Sequence, residues 1–341
     1  MPLFTEKHKS IKKLFIMGLI ENPKTYTGRD LETIFFRPML TGENAEQLGI
    51  RVLYNMPVPT TIQMWSPAAD VLQKYSSGWT GGNSATRKQK TITMHKIKAE
   101  VGYSASDYFA QVYELITGRA DVNMDDLTGT ELEKAETEMF RAAIAESLRA
   151  SMWLGDTLNT STPLNKFDGF IALIRNYNAS FDFPVVDFSE KTLSADTVAG
   201  LLDEMWKKAS PVLKSLKGEG NLAFFVTSDV CESYERYLDG KGADAAYNDM
   251  VAGRRTLSYH GIPIVDINVQ KYMPQAGFDS SSFAMLTDRR NLALAVNTAD
   301  YPGTEVRMWY NPDEMENRQR AVFMVGCEIL DEELLVKVDF A

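Results

Sequence analysis

The sequence predicts an α+β chain with an N-terminal arm, an extended β-ribbon, a long helix, an inserted α/β domain and a set of returning strands. Three observations carry this expectation. Residues 50–103 read as two extended runs joined by a Gly- and Ser-rich tip, with no apolar pattern that would give the segment a core of its own. Residues 131–154 keep a helical apolar period without interruption. From 190 onward, helical and strand-like runs alternate, and the chain then becomes strand-rich. Alternating elements point to a compact α/β or α+β domain over 190–285.

Composition sets the bounds. At 341 residues the chain exceeds the usual size of a single core, so two domains or one elaborated domain is expected. The hydrophobic share of 44% and charged share of 24% are ordinary for a globular protein. The two cysteines, Cys231 and Cys327, lie far apart and form no CxxC spacing, which argues against a disulfide framework or a zinc ribbon. Apolar runs such as Leu14–Ile20 and Leu292–Val296 are too short to span a bilayer. Lys7–Lys13 followed by LFIMGLI faintly resembles a secretion signal, but no small-x-small cleavage site follows and Glu21 ends the run. The net charge of −10 is uneven: residues 1–100 balance at +6, leaving −16 for residues 101–341. The plain reading of this asymmetry is a solvated surface; the sharper one is a basic arm and ribbon that dock on acidic faces of neighbouring copies, where complementary fields steer and register contacts. The basic residues are scattered and form no base-reading module.

In chain order, residues 1–49 read as an irregular arm. Ile11, Leu14 and Phe15 share one helical face, Gly18 weakens it, and Asn22-Pro23 ends it. A second short helix is expected in GRDLETIFF, before Pro38. The ribbon follows, with Arg51–Trp65 outgoing, Ser76–Thr86 as the tip and Arg87–Tyr103 returning. Ile92 and Met94 share one face of the return strand, while Ile97, Ala99 and Val101 share the other, so a bulge or twist is expected at His95–Lys96. Pro57, Pro59 and Pro67 suit an edge or turn. A helix after Ser104 or Ser106 would face Phe109, Val112, Tyr113 and Ile116 inward and close at Gly118.

The strongest helix runs from Glu131 to Leu154, with a capping box from Thr130 and Glu133 and Gly155 at the C′ position. Leu132, Ala135, Met139, Phe140, Ala143, Ile144, Leu148 and Met152 form its apolar face. At 1.5 Å per residue it would be about 36 Å long. A turn-rich connector, Gly155–Gly169, leads to FIALI (Phe170–Ile174), which reads as a short buried strand. Ser194 caps a helix over Ala195–Ala209 with Val198, Leu201, Leu202, Met205 and Trp206 on one face. Asn221–Ser228 is a buried strand, and Ser228 caps the helix that follows. Gly253–Ile267 reads as strand, turn at His260–Gly261, and strand. Ser281–Asp288, Asn291–Asn297, Thr304–Tyr310, Ala321–Leu330 and Leu334–Phe340 close the chain as strands expected to form a sheet against the long helix.

Catalytic patterns are sparse. The three histidines, His8, His95 and His260, fall in the arm, the ribbon and a turn. A Cys231/His260 dyad is conceivable, but Cys231 occupies the first turn of an amphipathic helix, where a small buried thiol is expected. HExxH and GxSxG spacings do not occur. Gly78–Ser84 lacks the lysine of a phosphate loop, and Gly240–Gly242 lacks the upstream glycine. Asp125–Asp126 and Glu328–Glu333 lack calcium-loop spacing and read as solvated charge.

The order of parts resembles the major capsid proteins of tailed bacteriophages with the Hong Kong 97-type fold. KTITMHKIKAEVGYSASDYF is similar to that family's ribbon return, and MWLGD with LNKFDGF to the exit of its spine helix. NLAFFVTSDVCESYERYLDG with GRRTLSYHGIPIVDI resembles the axial-domain core, and LTDRRNLALAV with ENRQRAVFMVGCEIL the closing peripheral strands. The resemblance covers about residues 50–341. It implies an arm (1–49), an extended ribbon (50–103), a peripheral domain with spine helix 131–154 (104–189), an axial domain (190–285) and a second peripheral part (286–341). It further implies a structural, non-enzymatic protein without cofactors, assembling with itself into hexamers and pentamers of an icosahedral shell around double-stranded DNA, in the virion after assembly in the host cytoplasm. Portal, scaffolding or decoration proteins would be its partners, with no membrane. Trp65, Lys74, Tyr75, Trp79, Arg87, Lys88 and Lys90 would lie on the ribbon surface that meets a neighbouring subunit. One variant of the family crosslinks a ribbon lysine to a neighbour's asparagine; Lys88 or Lys90 would sit in such a ribbon, but no asparagine is marked as partner and the crosslink is not carried over. The same fold serves encapsulin-like compartments, a tail or baseplate protein is a further structural alternative, and a soluble hydrolase with a site in 190–285 is the alternative of a different class.

Overall fold

The structure is a computed structural model that describes residues 24–26, 45, 48–55, 59–66, 74–78, 86–104, 131–178, 183–241, 250–251, 254–255, 257–277, 281–297, 305–311, 313–314 and 316–340. The expected arm helices, the helix after Ser104 and the Thr130 cap lie outside these residues. The strands up to the long helix are β1 (Lys24–Tyr26), β2 (Arg51–Tyr54), β3 (Thr60–Ser66), β4 (Thr86–Ile92) and β5 (His95–Ser104). The long helix α1 (Glu131–Leu154) is followed by α2 (Phe170–Asn178), β6 (Val185–Phe188), α3 (Ala195–Lys208), α4 (Pro211–Ser215), β7 (Leu222–Val226) and α5 (Ser228–Lys241). Short strands β8 (Met250–Val251), β9 (Arg254–Arg255) and β10 (Ser258–Tyr259) precede β11 (Ile262–Asp266) and the one-turn α6 (Met273–Ala276). The chain closes with β12 (Ala284–Asp288), β13 (Leu292–Asn297), β14 (Glu305–Asn311), β15 (Glu316–Ile329) and β16 (Leu335–Phe340). The fold is α+β, as the sequence predicts.

The described chain divides into two compact units. The first takes Met1–Gln47, Lys96–Ala150 and Val296–Val325, and the second Leu48–His95, Ser151–Ala295 and Gly326–Ala341. In the first, β14 lies antiparallel between β1 and β15, with Val306 opposite both Tyr26 and Ala321, and β5 pairs with β15. Helix α1 spans the expected 24 residues. Between Phe140 and Leu148 its buried stripe is narrow, with Phe140, Ile144 and Leu148 at i, i+4, i+8, whereas every residue from Leu148 to Leu154 is buried. Met139 and Ala143, expected inward, are exposed, because in that first stretch only one residue per turn faces inward. Thr137 Oγ1 reaches Met308 Sδ on β14 at 3.7 Å.

In the second unit a six-stranded mixed sheet runs β10-β11-β7-β12-β16-β6. β7 is parallel to β11 and antiparallel to β12, so Phe224 faces Ile264 on one side and Leu286 on the other. All five residues of β7 are buried, as a central strand covered on both faces requires. On one face Phe224, Leu286 and Val336 pack with Val198, Leu201, Leu202 and Met205 of α3 and with Val230, Tyr234 and Leu238 of α5. On the other, Phe225 meets Trp153, whose ring also contacts Phe170 edge-on at 5.3 Å. The expected α3 cap is present: the Ser194 N–H donates to Thr197 Oγ1 at 3.0 Å. The second cap sits one residue earlier than expected. Thr227, not Ser228, precedes α5, and its carbonyl accepts from Val230 and Cys231. The Thr227 hydroxyl instead accepts from the Phe283 N–H at 2.9 Å and ties β7 to the start of β12. The hairpin turn lies where expected, with His260 and Gly261 at φ +52° and +77°, the left-handed pair a two-residue hairpin needs.

Three local expectations are corrected. FIALI is not a strand; Phe170–Asn178 is a helix. A short apolar run fits either state, and packing decides it. Gly169 lies against the end of α1, its carbonyl accepts from the Leu173 N–H at 3.0 Å, and Phe170, Ala172 and Ile174 become buried. Gly155 follows α1 but has no positive φ. It is glycine because Phe167 O lies 2.2 Å from where a Cβ would stand. The closing strands do not make one sheet: β12 and β16 pair with each other and join β7 and β6, while β14 pairs with β15. The continuous burial of β12 and of Leu335–Val338 in β16 suits a sheet covered on both faces.

Candidate assembly surface on the ribbon

β3 and β4 pair antiparallel over seven residues, from Thr60↔Ile92 to Ser66↔Thr86. Directly opposed residues share a face. One face carries Ile62↔Lys90 and Met64↔Lys88; the other carries Thr61↔Thr91, Gln63↔Gln89 and Trp65↔Arg87. Burial separates them: Ile62 and Ile92 are buried and Met64, Lys88 and Lys90 half-buried, while Thr61, Gln63, Gln89 and Thr91 are exposed. Strand pairing stops at Thr93–Met94, two residues before the expected break, and the return half continues as β5, which pairs with β15 rather than with the outgoing strand. The phase change is as expected, with Ile92 and Met94 buried and Ile97, Ala99 and Val101 half-buried.

The inward lysines meet an acidic turn. Lys88 Nζ lies 3.2 Å from Asp331 Oδ1 and 3.4 Å from Glu333 Oε1, and Lys90 pairs with Glu332. Burial works against the Lys88 charge, but Asp331 and Glu333 outweigh it and hold the ammonium above the ordinary lysine range. Of the remaining residues expected to face a neighbour, Lys74 is exposed, Tyr75 is 96% exposed, Trp65 and Arg87 oppose each other in the ladder, and Trp79 lies outside the described residues. The acidic partners of Lys88 and Lys90 were not legible in the sequence. Glu328–Glu333 reads as a solvated run, and nothing local links it to a segment about 240 residues away.

No enzymatic dyad forms between Cys231 and His260. No hydrogen bond joins them among the described residues, and the exposed His260 ring stacks edge-on against Tyr259 at 4.4 Å. Burial, with Asp266 and Glu235, pushes the Cys231 thiol up to about 12, and burial also raises that of Cys327. Both are free thiols. The thiolate is the reactive form, so Ellman's reagent at pH 8 is expected to modify neither cysteine within minutes in the native chain and both after unfolding in guanidinium. A fast native reaction would restore the dyad as a candidate. Among the described residues no His, Cys, Asp and Glu cluster suits a metal ion, and no helix is long and apolar enough to cross a membrane.

The α+β fold is similar to that of chains in two solved phage structures. A chain from Gordonia phage Cozz matches with TM-score 0.54 and 13% identity, over 87% of this chain and 86% of that one. A chain from the satellite phage P4 procapsid including size determination (Sid) protein matches with TM-score 0.53 and 10% identity, over 89% of this chain and 96% of that one. No protein-family model and no curated protein matches the sequence.

Proposed function

We propose that this chain is the major capsid protein of a tailed phage, which self-assembles into hexamers and pentamers of an icosahedral shell enclosing double-stranded DNA. The observation that carries the reading is the shared fold, which extends over 89% of the chain in the match to a procapsid chain. The ribbon supports it. A two-stranded ribbon is marginal in water by itself, and this one keeps an exposed face of Thr61, Gln63, Gln89 and Thr91 beside the exposed Tyr75. A neighbouring copy would cover that face, with Trp65, Lys74, Tyr75, Trp79 and Arg87 at the contact and Lys88 and Lys90 at its inner margin. The Hong Kong 97-type divisions follow: arm 1–49, ribbon 50–103, peripheral parts 104–189 and 286–341, and axial domain 190–285. Ring contacts among axial domains are heterologous and close by rotation. Many repeated ribbon and arm contacts then act together, so avidity rather than any single interface holds the shell. Portal, scaffolding or decoration proteins are the further partners of this reading, the packaged DNA is bound without sequence preference, and the protein resides in the virion after assembly in the host cytoplasm.

Expression of the full chain is expected to yield closed, uniform shells or their rings in negative-stain images. A chain that stays monomeric at high concentration would sink the proposal. Shells that hold a folded enzyme in place of DNA would reassign it to a compartment of the encapsulin type, and open tubes or isolated rings alone would point to a tail component.

A further inference from the structure

The turn after β15 is a built acceptor for the ribbon, not a loose charge run. Asn291, 3% exposed, donates from Nδ2 to the Asp331 carbonyl and accepts at Oδ1 from the Asp331 N–H, both at 2.8 Å. Its own carbonyl accepts from the Leu330 N–H at 3.0 Å. The fully buried Thr287 hydroxyl donates to the Leu334 carbonyl at 2.7 Å, and the Asp331 carboxylate accepts from the Glu333 N–H at 3.2 Å. Residues 330–334 are therefore held from inside the unit, and the three carboxylates that meet the ribbon lysines have fixed origins. The ribbon meets this platform at successive steps. Its root at Thr93 crosses Gly326 so closely that a Cβ there would stand 2.2 Å from Thr93 O. Lys90 then meets Glu332, and Lys88 reaches Asp331 and Glu333. Side-chain exposure is 20% for Lys90 and 16% for Glu332, so that pair is shielded more than a surface ion pair.

We propose that Asp331, Glu332 and Glu333 form an ionic clasp for Lys88 and Lys90, which docks the ribbon on its own chain and sets its posture, and that this docking loosens as salt rises. The clasp is a property of the single chain and does not rest on the shell reading. It explains why Lys88 and Lys90 lie on one face: they hold the inner face down, and the face of Thr61, Gln63, Gln89 and Thr91 remains outward. Because the ladder is marginal without support, loss of the clasp becomes visible as fraying of β3 and β4. Salt acts most on the Lys88–Glu333 pair, whose side chains are 41% and 69% exposed, the Debye length falling to about 3 Å at 1 M.

The test is amide hydrogen exchange of residues 60–66 and 86–92, on the smallest species the full-length chain forms at micromolar concentration. Glu332→Lys is expected to speed exchange there about tenfold, and Lys90→Glu likewise. The double variant K90E/E332K should return to within about twofold of the parent. Gln89→Glu, the same kind of charge change on the opposite face, should leave exchange within about twofold. Raising NaCl from 50 mM to 1 M should speed exchange several-fold in the parent and little in the K88Q/K90Q double variant, which lacks both cations of the clasp. Unchanged exchange in both single variants, or a double variant no slower than either single one, overturns the clasp. Neither result touches the shell, which images decide separately.

Discussion

Removal of Ser76–Ser84 is expected to abolish closed shells while leaving a folded chain. Ser76, Ser77 and Gly78 are exposed, as are Lys74 and Tyr75 beside them. The buried part of the ribbon lies lower, at Ile62, Ile92 and Met94. After the deletion, residues 67–75 and Ala85 still bridge Ser66 to Thr86, so the ladder can close, and loop-closure entropy changes little with a shorter loop. The melting temperature of the unassembled chain should stay within about 2 °C of the parent, since surface changes usually fall within about 0.5 kcal/mol. Shell yield, counted by sedimentation and imaging, should fall at least about tenfold, because a contact repeated in every copy is lost everywhere at once. Two outcomes contradict the reading: shells that form at normal yield, which would take the tip out of assembly, or an unassembled chain that unfolds, which would make the tip part of its core.

Gly169→Ala is expected to be strongly destabilising in the second unit. A Cβ at 169 would stand 2.6 Å from Ser151 O, 2.7 Å from Met152 O and 2.9 Å from Gly155 N, all backbone atoms. The Gly169 N–H also donates to the Gly155 carbonyl at 2.9 Å. The chain leaves α1 and enters α2 through this glycine–glycine crossing, which seats Trp153 against Phe170 and Phe225. Backbone cannot rotate aside as a flexible side chain can, so the strain spreads into that aromatic cluster. Overpacking in a tight core costs about 1–3 kcal/mol and occasionally more, and the upper end is expected here, lowering the melting temperature by roughly 5–10 °C. Gly200→Ala is the matched control. Gly200 lies within α3, is exposed and has nothing within 4 Å of its would-be Cβ. Alanine there should stabilise by roughly 0.5–1 kcal/mol through helix propensity. A Gly169→Ala chain that melts with the parent would show that the crossing is looser than its distances imply.

The two substitutions also mark where sequence reading works. Helix α3 was legible because Val198, Leu201, Leu202 and Met205 repeat with the helical period and Ser194 caps its start, all within 12 residues. The His260–Gly261 turn was legible because a left-handed pair between two apolar alternations has few other uses. FIALI failed because five apolar residues carry no period that separates strand from helix; the crossing at Gly169 made the choice. The ribbon was visible as a segment lacking its own core, yet Lys88 and Lys90 gave no sign of which carboxylates they meet.

From sequence alone came the α+β class, the 24-residue helix, the ribbon and its change of phase, and the scarcity of catalytic patterns, because each is written in local periodicity or residue count. Tertiary structure alone decided that β12 and β16 join β7 and not β14, that Phe170–Asn178 is helical, and that the turn at 331–333 receives the ribbon. These depend on which distant surfaces exclude water together and which backbones approach too closely for a side chain. The order of residues along one segment holds no record of its partner's position in space.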